Sequence, residues 1–372
     1  MFALANIISF GIVGGASFRA QYFLRIARAL PERFRVCGMV VRNEEKGTAL
    51  QEAWGVPTFR TIDEMLARER PLFVVVSVGV QYCADIILQL AQARIPVLSE
   101  TPPAADLNQL TALYEQIVVL GAKVQVAEQY HLHPMHSARI GMIQSGWLGK
   151  VSQVTVSISH MYHAVSLMRK YLDVKFENAT IRAMRFHTSI VLGPTREGPP
   201  TEDKIIPSTR DLAWIQFRDK LALYDFEQNQ HRSWVRTNHL AVRGDRGEIF
   251  DTHLNVLQDV STPLHLDLKR IHKGEMENQE GHYLEGVIAG ERWVYRNPFA
   301  PGRLYDDEIA IATCLQKMAD YVDGGPSFYG LPEAAQDHYI GLMIEQAIAT
   351  GSTVTTVQQA WAAEGLCINI IK

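Results

Sequence analysis

The sequence predicts a two-domain α/β protein, with a doubly wound parallel sheet in residues 1–128 and an α+β domain with a mostly antiparallel open sheet in residues 129–372. Three observations lead to this prediction. A chain of 372 residues is long enough for two domains of unequal size. Buried strand patterns alternate with helical patterns in the first third, as in parallel sheets with crossover helices. Further on, shorter strand-like runs follow one another with turns between them, which is typical of antiparallel sheets.

Strands and helices alternate from the start of the chain to about residue 127. The run LFVVVSV is almost entirely apolar, so we expect it to be buried on both faces of a parallel sheet. Pro31 ends the first helix, Thr61 and Glu64 form a capping box, and Gly121 ends the last helix of this part. The predicted strands are Ile7–Val13, Phe34–Val41, Leu72–Val78, Pro96–Ser99 and Lys123–Ala127, and the predicted helices are Phe18–Leu30, a short helix through Met65 and Leu66, Gln81–Ala93 and Asp106–Leu120.

The rest of the chain is predicted to form one helix, a run of strands with a helix led by His163 among them, and two closing helices. Gly193–Pro207 is rich in proline, glycine and charge and is predicted to be a loop, and Pro263–Arg303 is predicted to be irregular. The helices are His136–Gln144, Asp306–Val322 and Pro332–Thr350, and the strands are Val151–Ser157, Ile181–Phe186, Ala213–Phe217, Leu221–Phe226, Arg232–Val242 and Glu248–Thr252.

The composition is that of an ordinary globular protein, with 47% apolar and 20% charged residues. The net charge of -4 provides no broad basic surface, so neither nucleic acid nor an anionic membrane is an expected partner. No apolar run approaches the ~20 residues of a membrane span. The cysteines lack the spacing of a zinc site and suit a reducing compartment, so we expect a cytoplasmic protein whose apolar start is a strand rather than a signal peptide. They are Cys37, Cys83, Cys314 and Cys367.

The first strand runs into a glycine turn and then directly into a helix. In a Rossmann domain this is the place where a dinucleotide diphosphate lies on the helix N-terminus. Gly14 occupies the first glycine position of that fingerprint, Ala16 the second and Arg19 the third; Arg19 is too large to pack there but can pair with a phosphate. The alternative is a tight turn that binds nothing, but its place between strand and helix favours nucleotide binding. The turn consists of Gly14, Gly15, Ala16, Ser17, Phe18 and Arg19.

The end of the second predicted strand bears on the choice between NAD and NADP. An acid at this point usually holds the ribose 2′-hydroxyl of NAD. Here the strand is followed by Arg42 and Asn43, with no acid before Glu44. Arg42 can pair with a 2′-phosphate, so NADP is favoured over NAD; the alternative is a solvated arginine after a strand.

Five further features follow the glycine turn in a fixed order. These are Ala91–Pro103 (AQARIPVLSETPP), Gln129–Pro134 (QYHLHP), Gly146–Val151 (GWLGKV), His163 at the start of a helix, and the two closing helices. Together they resemble the glucose–fructose oxidoreductase and inositol dehydrogenase family, written Gfo/Idh/MocA. The resemblance covers essentially the whole chain, and it rests on the order and spacing of the motifs.

The resemblance implies a Rossmann domain, then a domain with an open antiparallel sheet that forms a dimer or tetramer interface. It also implies NAD(P)-dependent hydride transfer to or from a carbonyl or alcohol of a small, sugar-derived compound. The residues expected to bind the cofactor are Gly14, Gly15, Ala16, Ser17, Phe18, Arg19, Arg42, Ser77, Val78, Glu100, Thr101 and Gln129, and the expected catalytic residues are His163, Tyr162 and His160.

The sequence also departs from the family pattern. The family's substrate-binding lysine falls on Thr101, and its acids near the histidine fall on Ser159 and Ser166. We therefore expect His163 to transfer the proton, with Tyr162 and His160 as reserves. A helix cap or a packed histidine is the alternative for His163. The local group His131, His133 and His136 lacks a ligand pattern with a carboxylate, and no metal is predicted.

The sequence is also compatible with two other functions. An NAD-dependent lyase or glycosidase would use transient oxidation to acidify a neighbouring C–H, but it needs a base that this carboxylate-poor site does not favour. A catalytically degenerate dinucleotide-binding regulator or structural subunit would explain both the altered glycine motif and the missing lysine.

Overall fold

A computed structural model describes residues 7–274 and 281–362. Cys367 and the first six residues of the apolar N-terminal stretch lie outside the described residues. The chain divides into two compact units. The first comprises Met1–Pro134, Ile271–Gly286 and Arg296–Ala335, and the second comprises Met135–Arg270, Val287–Tyr295 and Gln336–Lys372.

The first part of the chain alternates strands and helices, as predicted. Its elements are β1 (Ile8–Val13), α1 (Ala20–Ala29), β2 (Phe34–Val40), α2 (Glu44–Trp54), β3 (Thr58–Phe59), α3 (Ile62–Arg68), β4 (Phe73–Val76), α4 (Val80–Gln92), β5 (Val97–Ser99), α5 (Leu107–Leu120) and β6 (Val124–Val126). Among the described residues these strands form a parallel sheet of six in the order β3-β2-β1-β4-β5-β6. This order confirms the doubly wound prediction, because the strand order reverses direction after β1.

The later elements are mostly strands. They are α6 (Pro134–Gln144), β7 (Val151–Ser157), α7 (Met161–Leu172), β8 (Thr180–Val191), β9 (Ile205–Phe217), β10 (Lys220–Glu227), β11 (His239–Gly244), β12 (Gly247–Phe250), β13 (His253–Leu257), β14 (Pro263–Lys273), β15 (Tyr283–Ala289), β16 (Arg292–Arg296), α8 (Asp306–Val322), α9 (Leu331–Thr350) and β17 (Val354–Thr355).

The core of the first unit is built on the two faces of the parallel sheet. Phe10 of β1 stacks on Phe73 of β4 with ring centroids 5.6 Å apart, and Phe23 of α1 meets Phe10 edge-on. Ile309 and Leu315 of α8 belong to the same fully buried cluster. Val74 and Val76, whose side chains point to the other face of β4, are also buried, as the nearly continuous apolar strands of a parallel sheet require.

The sequence prediction missed α2 and β3. The α2 helix begins after Asn43, whose side chain accepts a hydrogen bond from the Lys46 amide at 2.8 Å. It ends at Gly55, which has a left-handed backbone. The predicted capping box at Thr61 is half correct. Its hydroxyl accepts from the Glu64 amide, but the Glu64 carboxylate accepts from the Arg60 amide instead.

Strands β7 to β17 form one sheet, which has eleven strands among the described residues in the order β16-β15-β14-β13-β12-β11-β7-β10-β9-β8-β17. The β7–β10 pair is parallel, whereas β8–β9, β9–β10 and β11–β12 are antiparallel. This confirms the mostly antiparallel sheet. Alternate side chains of its central strands, such as Val154, Val156 and Ile215, are buried on one face.

Several predicted boundaries in this part are wrong. Pro263–Arg303 is not irregular, because β14, β15 and β16 lie within it. Leu264, Leu266 and Leu268 alternate with polar residues there, so a strand period was present among the charges. The predicted strand Arg232–Val242 begins only at His239. The predicted loop Gly193–Pro207 is shorter than expected, because β9 already starts at Ile205.

No helix among the described residues has the length and apolar character needed to cross a membrane.

Candidate active site

The glycine turn packs tightly against the end of β4. Gly14 has a φ of +90°, and a Cβ placed on it would lie 2.1 Å from the Ser77 carbonyl oxygen. The amides of Gly14 and Gly15 both donate to the Val40 carbonyl, at 3.1 and 3.2 Å. Glycine is therefore required at position 14 for both its backbone conformation and this close approach.

Ser17 links the turn to the first helix. Its hydroxyl lies 2.7 Å from the Ser77 hydroxyl and accepts a hydrogen bond from the Ala20 amide at 3.0 Å. The first turn of α1 is thereby held against the end of β4. Ala16 and Phe18 are exposed on the turn, and Val78 lies beside Gly14. The structure thus brings most of the predicted diphosphate-binding residues together at one edge of the sheet.

Arg19, at the third position of the fingerprint, reaches across this edge to Glu100. Its Nε donates to Glu100 Oε2 at 3.1 Å and its Nη2 to Oε1 at 3.4 Å, and its guanidinium lies 4.8 Å from the centroid of the Tyr22 ring. Burial lowers the pKa of Arg19, but the attraction of Glu100 and the hydrogen bond to it outweigh burial and raise the pKa overall. The turn thus carries a cation that is already paired with a carboxylate.

Two arginines lie at the end of β2. Arg42 is exposed, with its guanidinium 5.5 Å from the centroid of the Tyr82 ring. Arg60 donates from Nη1 to the carbonyl oxygens of Val41 and Asn43, at 2.6 and 2.9 Å. Sequence reasoning missed Arg60, since it follows the two-residue strand β3 that was not predicted. Where NAD enzymes have an acid, this chain therefore presents positive charge.

Thr101 and Gln129 complete the predicted cofactor residues. Thr101 is half-buried and directly follows Glu100. Gln129 is only 4% exposed, and its Oε1 atom is buried with no hydrogen-bond partner among the described residues. An unpaired buried acceptor costs about 1–3 kcal/mol, so a donor from a bound ligand would stabilise it.

The three predicted catalytic residues meet at the start of α7. His160 is the N-cap residue, and its ring centroid lies 5.2 Å from that of His163 and 5.6 Å from that of Tyr162. The Tyr162 and His163 rings are closer still, at 4.4 Å. The side chains predicted to handle a proton therefore form one group of contacting rings.

Met161, between His160 and Tyr162, has a strained backbone with a φ of +34°. Its amide donates a hydrogen bond to the Tyr224 hydroxyl at 3.2 Å. Burial raises the pKa of Tyr224, which keeps that hydroxyl protonated and neutral. Strained residues of this kind persist where the surroundings hold them, and they concentrate at functional sites.

Two further histidines join this group and were not predicted. The His231 ring lies 6.0 Å from that of His160 and 5.1 Å from that of Phe226, and the His338 ring of α9 lies 5.9 Å from that of Tyr162. A Cβ on Gly341, one turn after His338, would be 3.6 Å from the Tyr162 amide nitrogen, so α9 approaches the start of α7 closely. We call His160, Tyr162, His163, His231 and His338 the histidine cluster.

The other local group of histidines has separate partners. His133 Nε2 lies 3.1 Å from Asp307 Oδ1, the His131 ring stacks on Tyr329, and His136 Nδ1 lies 2.6 Å from the Tyr171 hydroxyl. Within residues 7–274 and 281–362, no group of three or more histidine, cysteine, aspartate or glutamate side chains is arranged to hold a metal ion.

Residues 8–128 match the model of a protein family described as "Oxidoreductase family, NAD-binding Rossmann fold", GFO_IDH_MocA. The N-terminal part of the chain is thus similar to the Gfo/Idh/MocA family. The resemblance inferred from the sequence motifs is thus confirmed. No curated protein matches the chain significantly in sequence.

Solved structures extend the fold comparison over nearly the whole chain. An oxidoreductase domain protein from Kribbella flavida has a TM-score of 0.68 and 15% identity, covering 95% of this chain and 100% of that one. A myo-inositol dehydrogenase from Corynebacterium glutamicum has a TM-score of 0.65 and 15% identity, covering 94% and 99%. An oxidoreductase from Agrobacterium radiobacter, in complex with NAD+, L-tartaric acid and magnesium, has a TM-score of 0.65 and 12% identity, covering 93% and 98%. At these identities the likeness establishes the fold alone.

Replacing Gly14 with alanine is expected to destabilise the first unit, because the new methyl group overlaps the Ser77 carbonyl. Gly55→Ala is a matched control, since Gly55 also has a positive φ, +68°, but open space around it. In the control, the free energy of unfolding should fall by only about 1–2 kcal/mol, which is the cost of a left-handed backbone for a residue with a side chain. Urea unfolding should show a clearly larger fall in the free energy of unfolding for Gly14→Ala than for Gly55→Ala. Equal falls would contradict the close contact between Gly14 and the Ser77 carbonyl.

Proposed function

We propose that this protein is an NAD(P)-dependent oxidoreductase that transfers hydride to or from a carbonyl or alcohol group of a small, polar, sugar-derived compound. The observation that carries the proposal is the turn in which Gly14 packs on the Ser77 carbonyl, within a domain of an NAD-binding family. The histidine cluster supplies the groups for the accompanying proton transfer.

The residues at the edge of the parallel sheet fit a nicotinamide dinucleotide. The glycine turn would receive the diphosphate, with Arg19 as a cation beside it. The orphaned acceptor on Gln129 suits a ligand donor such as an amide or a hydroxyl. When bound, the cofactor supplies the hydride chemistry, while the protein places the substrate and handles one proton.

The preferred cofactor in this proposal is NADP. Arg42 and Arg60 place two guanidinium groups at the end of β2, where NAD enzymes use an acid for the 2′-hydroxyl. Arg42 is the better candidate for a 2′-phosphate, because Arg60 is already bonded to two backbone carbonyls. Arginine binds phosphate in a bidentate manner, which favours this assignment.

His163 is the proposed proton-transfer group. An alcohol that loses hydride must also lose its hydroxyl proton, and the reverse reaction needs a proton donor. Histidine performs both roles near neutral pH, and a tyrosine hydroxyl such as that of Tyr162 can polarise a carbonyl. Thr101 cannot replace the cation of the missing family lysine, so substrate binding depends on other groups.

The sugar-derived substrate is inferred from relatives. The Corynebacterium glutamicum structure is of a myo-inositol dehydrogenase, and the Agrobacterium radiobacter structure holds NAD+. Their likeness here supports a polyol or related compound as substrate.

A dinucleotide-binding regulator without turnover is the second candidate. Arg19 in place of the small third residue, together with Thr101 in place of the lysine, favours it. A lyase or glycosidase is less favoured, because Ser159 and Ser166 stand where acids would supply the base.

We also propose that the exposed face of the eleven-stranded sheet binds a second copy of this chain. Met184 and Phe186 of β8, Trp214 of β9 and Phe250 of β12 are about half exposed. The strand register places Met184, Trp214 and Phe250 on one face, opposite the buried one.

The described cysteines are buried and free, which supports a cytoplasmic location.

Two arginine variants test the cofactor assignment in fluorescence titrations with NADPH and NADH. Arg42→Ala should weaken NADPH binding by about 10-fold to 100-fold, because it removes a charged hydrogen bond to the 2′-phosphate. NADH binding should stay unchanged. Arg19→Met should weaken both, because both carry the diphosphate. Each variant serves as the other's control. Equal losses for both nucleotides in Arg42→Ala would exclude its 2′-phosphate role, and no binding of either nucleotide to the native protein would overturn the proposed function.

Replacing His163 with asparagine should lower turnover by about 10²–10⁴-fold, because a general acid or base usually raises the rate by this factor. The assay is oxidation or reduction over a panel of sugars and keto acids, with nucleotide affinity measured alongside and expected to stay unchanged. His187→Asn, an exposed histidine on β8, is the matched control. A fully active His163→Asn enzyme would show that another group moves the proton, and nucleotide binding without any turnover in the native protein would favour the regulator.

Trp214→Glu should dissociate the proposed oligomer, because a charge in an apolar contact loses its hydration. Trp234→Glu is the control, since Trp234 is exposed outside the sheet. Light scattering should show a lower mass for the first variant only. A native protein that is monomeric at micromolar concentration would refute the proposed interface.

A further inference from the structure

We infer that Tyr224 is a positioning residue for proton transfer, because its hydroxyl holds the backbone bend at Met161 that places His163 beside Tyr162. This inference rests on the proposed function and adds a residue to the same site. Only 2% of Tyr224 is exposed, so its role is to act through the Met161 backbone rather than to contact substrate.

The backbone bends sharply where β7 leads into α7. His160 is extended, with a φ of -82° and a ψ of 148°, and Met161 follows it with a φ of +34°. The His163 amide donates to the His160 carbonyl at 3.2 Å, and the Tyr162 and His163 rings lie 4.4 Å apart by their centroids. Residues with a side chain rarely adopt a positive φ. The arrangement of these rings therefore depends on a conformation that Met161 does not favour by itself.

Tyr224 presents a fixed acceptor to this bend. It lies in β10, where it pairs with Val156 of β7 and Ala213 of β9, and its ring stacks on Phe226 with the centroids 6.5 Å apart. The hydroxyl accepts a hydrogen bond from the Met161 amide at 3.2 Å. As the first residue of α7, Met161 has no acceptor for this amide within the helix. Without the hydroxyl, the strained residue would also have an unsatisfied N–H group.

The surroundings of Tyr224 keep its hydroxyl neutral. Burial raises the pKa of Tyr224 and outweighs the hydrogen bond from the Met161 amide, which lowers it. The charges of Asp211 and Glu345 raise this pKa further, against the opposing charge of Arg185. The hydroxyl therefore stays protonated over the pH range in which histidines titrate. Its bond to Met161 is thus expected to persist while a neighbouring histidine gains or loses a proton.

The inference is tested by removing the hydroxyl alone. Tyr224→Phe should lower kcat by about 10-fold to 100-fold with KM little changed, because a small displacement of a catalytic group slows the chemistry. Tyr171→Phe is the matched control: this fully buried tyrosine of α7 has its hydroxyl 2.6 Å from His136 Nδ1, away from Met161. The control should keep a kcat close to that of the native protein. A native kcat in Tyr224→Phe, or an equal loss in both variants, would overturn the inference.

A rescue experiment separates positioning from general stability. Glycine adopts a positive φ without strain, so Met161→Gly should restore kcat in the Tyr224→Phe background to within about threefold of Met161→Gly alone. Failure of this rescue would show that Tyr224 acts in some other way and would refute the inference. Should Tyr224→Phe alone fail to fold, the double variant should still fold, because glycine removes the strain that the hydroxyl offsets; an unfolded double variant would also refute it.

NMR of the full-length protein without nucleotide provides a measurement that does not depend on turnover. Tyr224→Phe should shift the Cε1–H resonances of His160 and His163, Tyr171→Phe should leave them in place, and the double variant should return them to their positions in Met161→Gly. Unmoved resonances in Tyr224→Phe would contradict the inference. A native protein that turns over no substrate would defeat the proposed function, and the resonances alone would then decide whether Tyr224 positions these rings.

Discussion

The close approach of Gly14 to the Ser77 carbonyl is the contact on which the candidate nucleotide site depends. Because no side chain intervenes, the turn after β1 lies directly on the end of β4. The Ser17 and Ser77 hydroxyls can then bond, and Ser17 also caps the first turn of α1. The start of α1 is thereby fixed, and with it the position from which Arg19 reaches Glu100 at the end of β5. A single glycine thus sets the placement of three other residues.

Arg19 changes what this turn offers to an anion. A small residue would leave the helix N-terminus as the main attraction, whereas Arg19 adds a cation already bonded to Glu100. A diphosphate would have to share that guanidinium or exchange for the carboxylate. Exchange between two anionic partners keeps the charged hydrogen bonds, so its net free energy is smaller than that of pairing a free cation. The gain from Arg19 is therefore expected to be modest.

The sequence predicted the architecture because the relevant signals are local. The apolar run in β4 and the turn after Val13 are contiguous in the chain, and most of the residues predicted to bind a cofactor lie at one edge of the sheet. Helix α2 was missed because its charged sequence carries no apolar stripe, and Arg60 was missed with the short strand before it. His231 and His338 could not be found by spacing, because about 70 and 175 residues separate them from His163. Only the folding of the second unit brings them to α7.

The strained backbone of Met161 helps to place the rings of the histidine cluster at the start of α7. A left-handed backbone costs a non-glycine residue about 1–2 kcal/mol, and here the bond from the Met161 amide to the buried Tyr224 hydroxyl helps to hold it. The bend separates His160, still in an extended conformation, from the helical Tyr162 and His163, and their rings meet at the helix start. Hydride transfer requires one protein group that carries a proton and hydrogen-bond donors that hold the substrate. In the proposed function, imidazole rings of the histidine cluster can serve in either role. In the proposed function, the replacement of the family's lysine and acids by Thr101, Ser159 and Ser166 therefore leaves proton transfer to the histidine cluster.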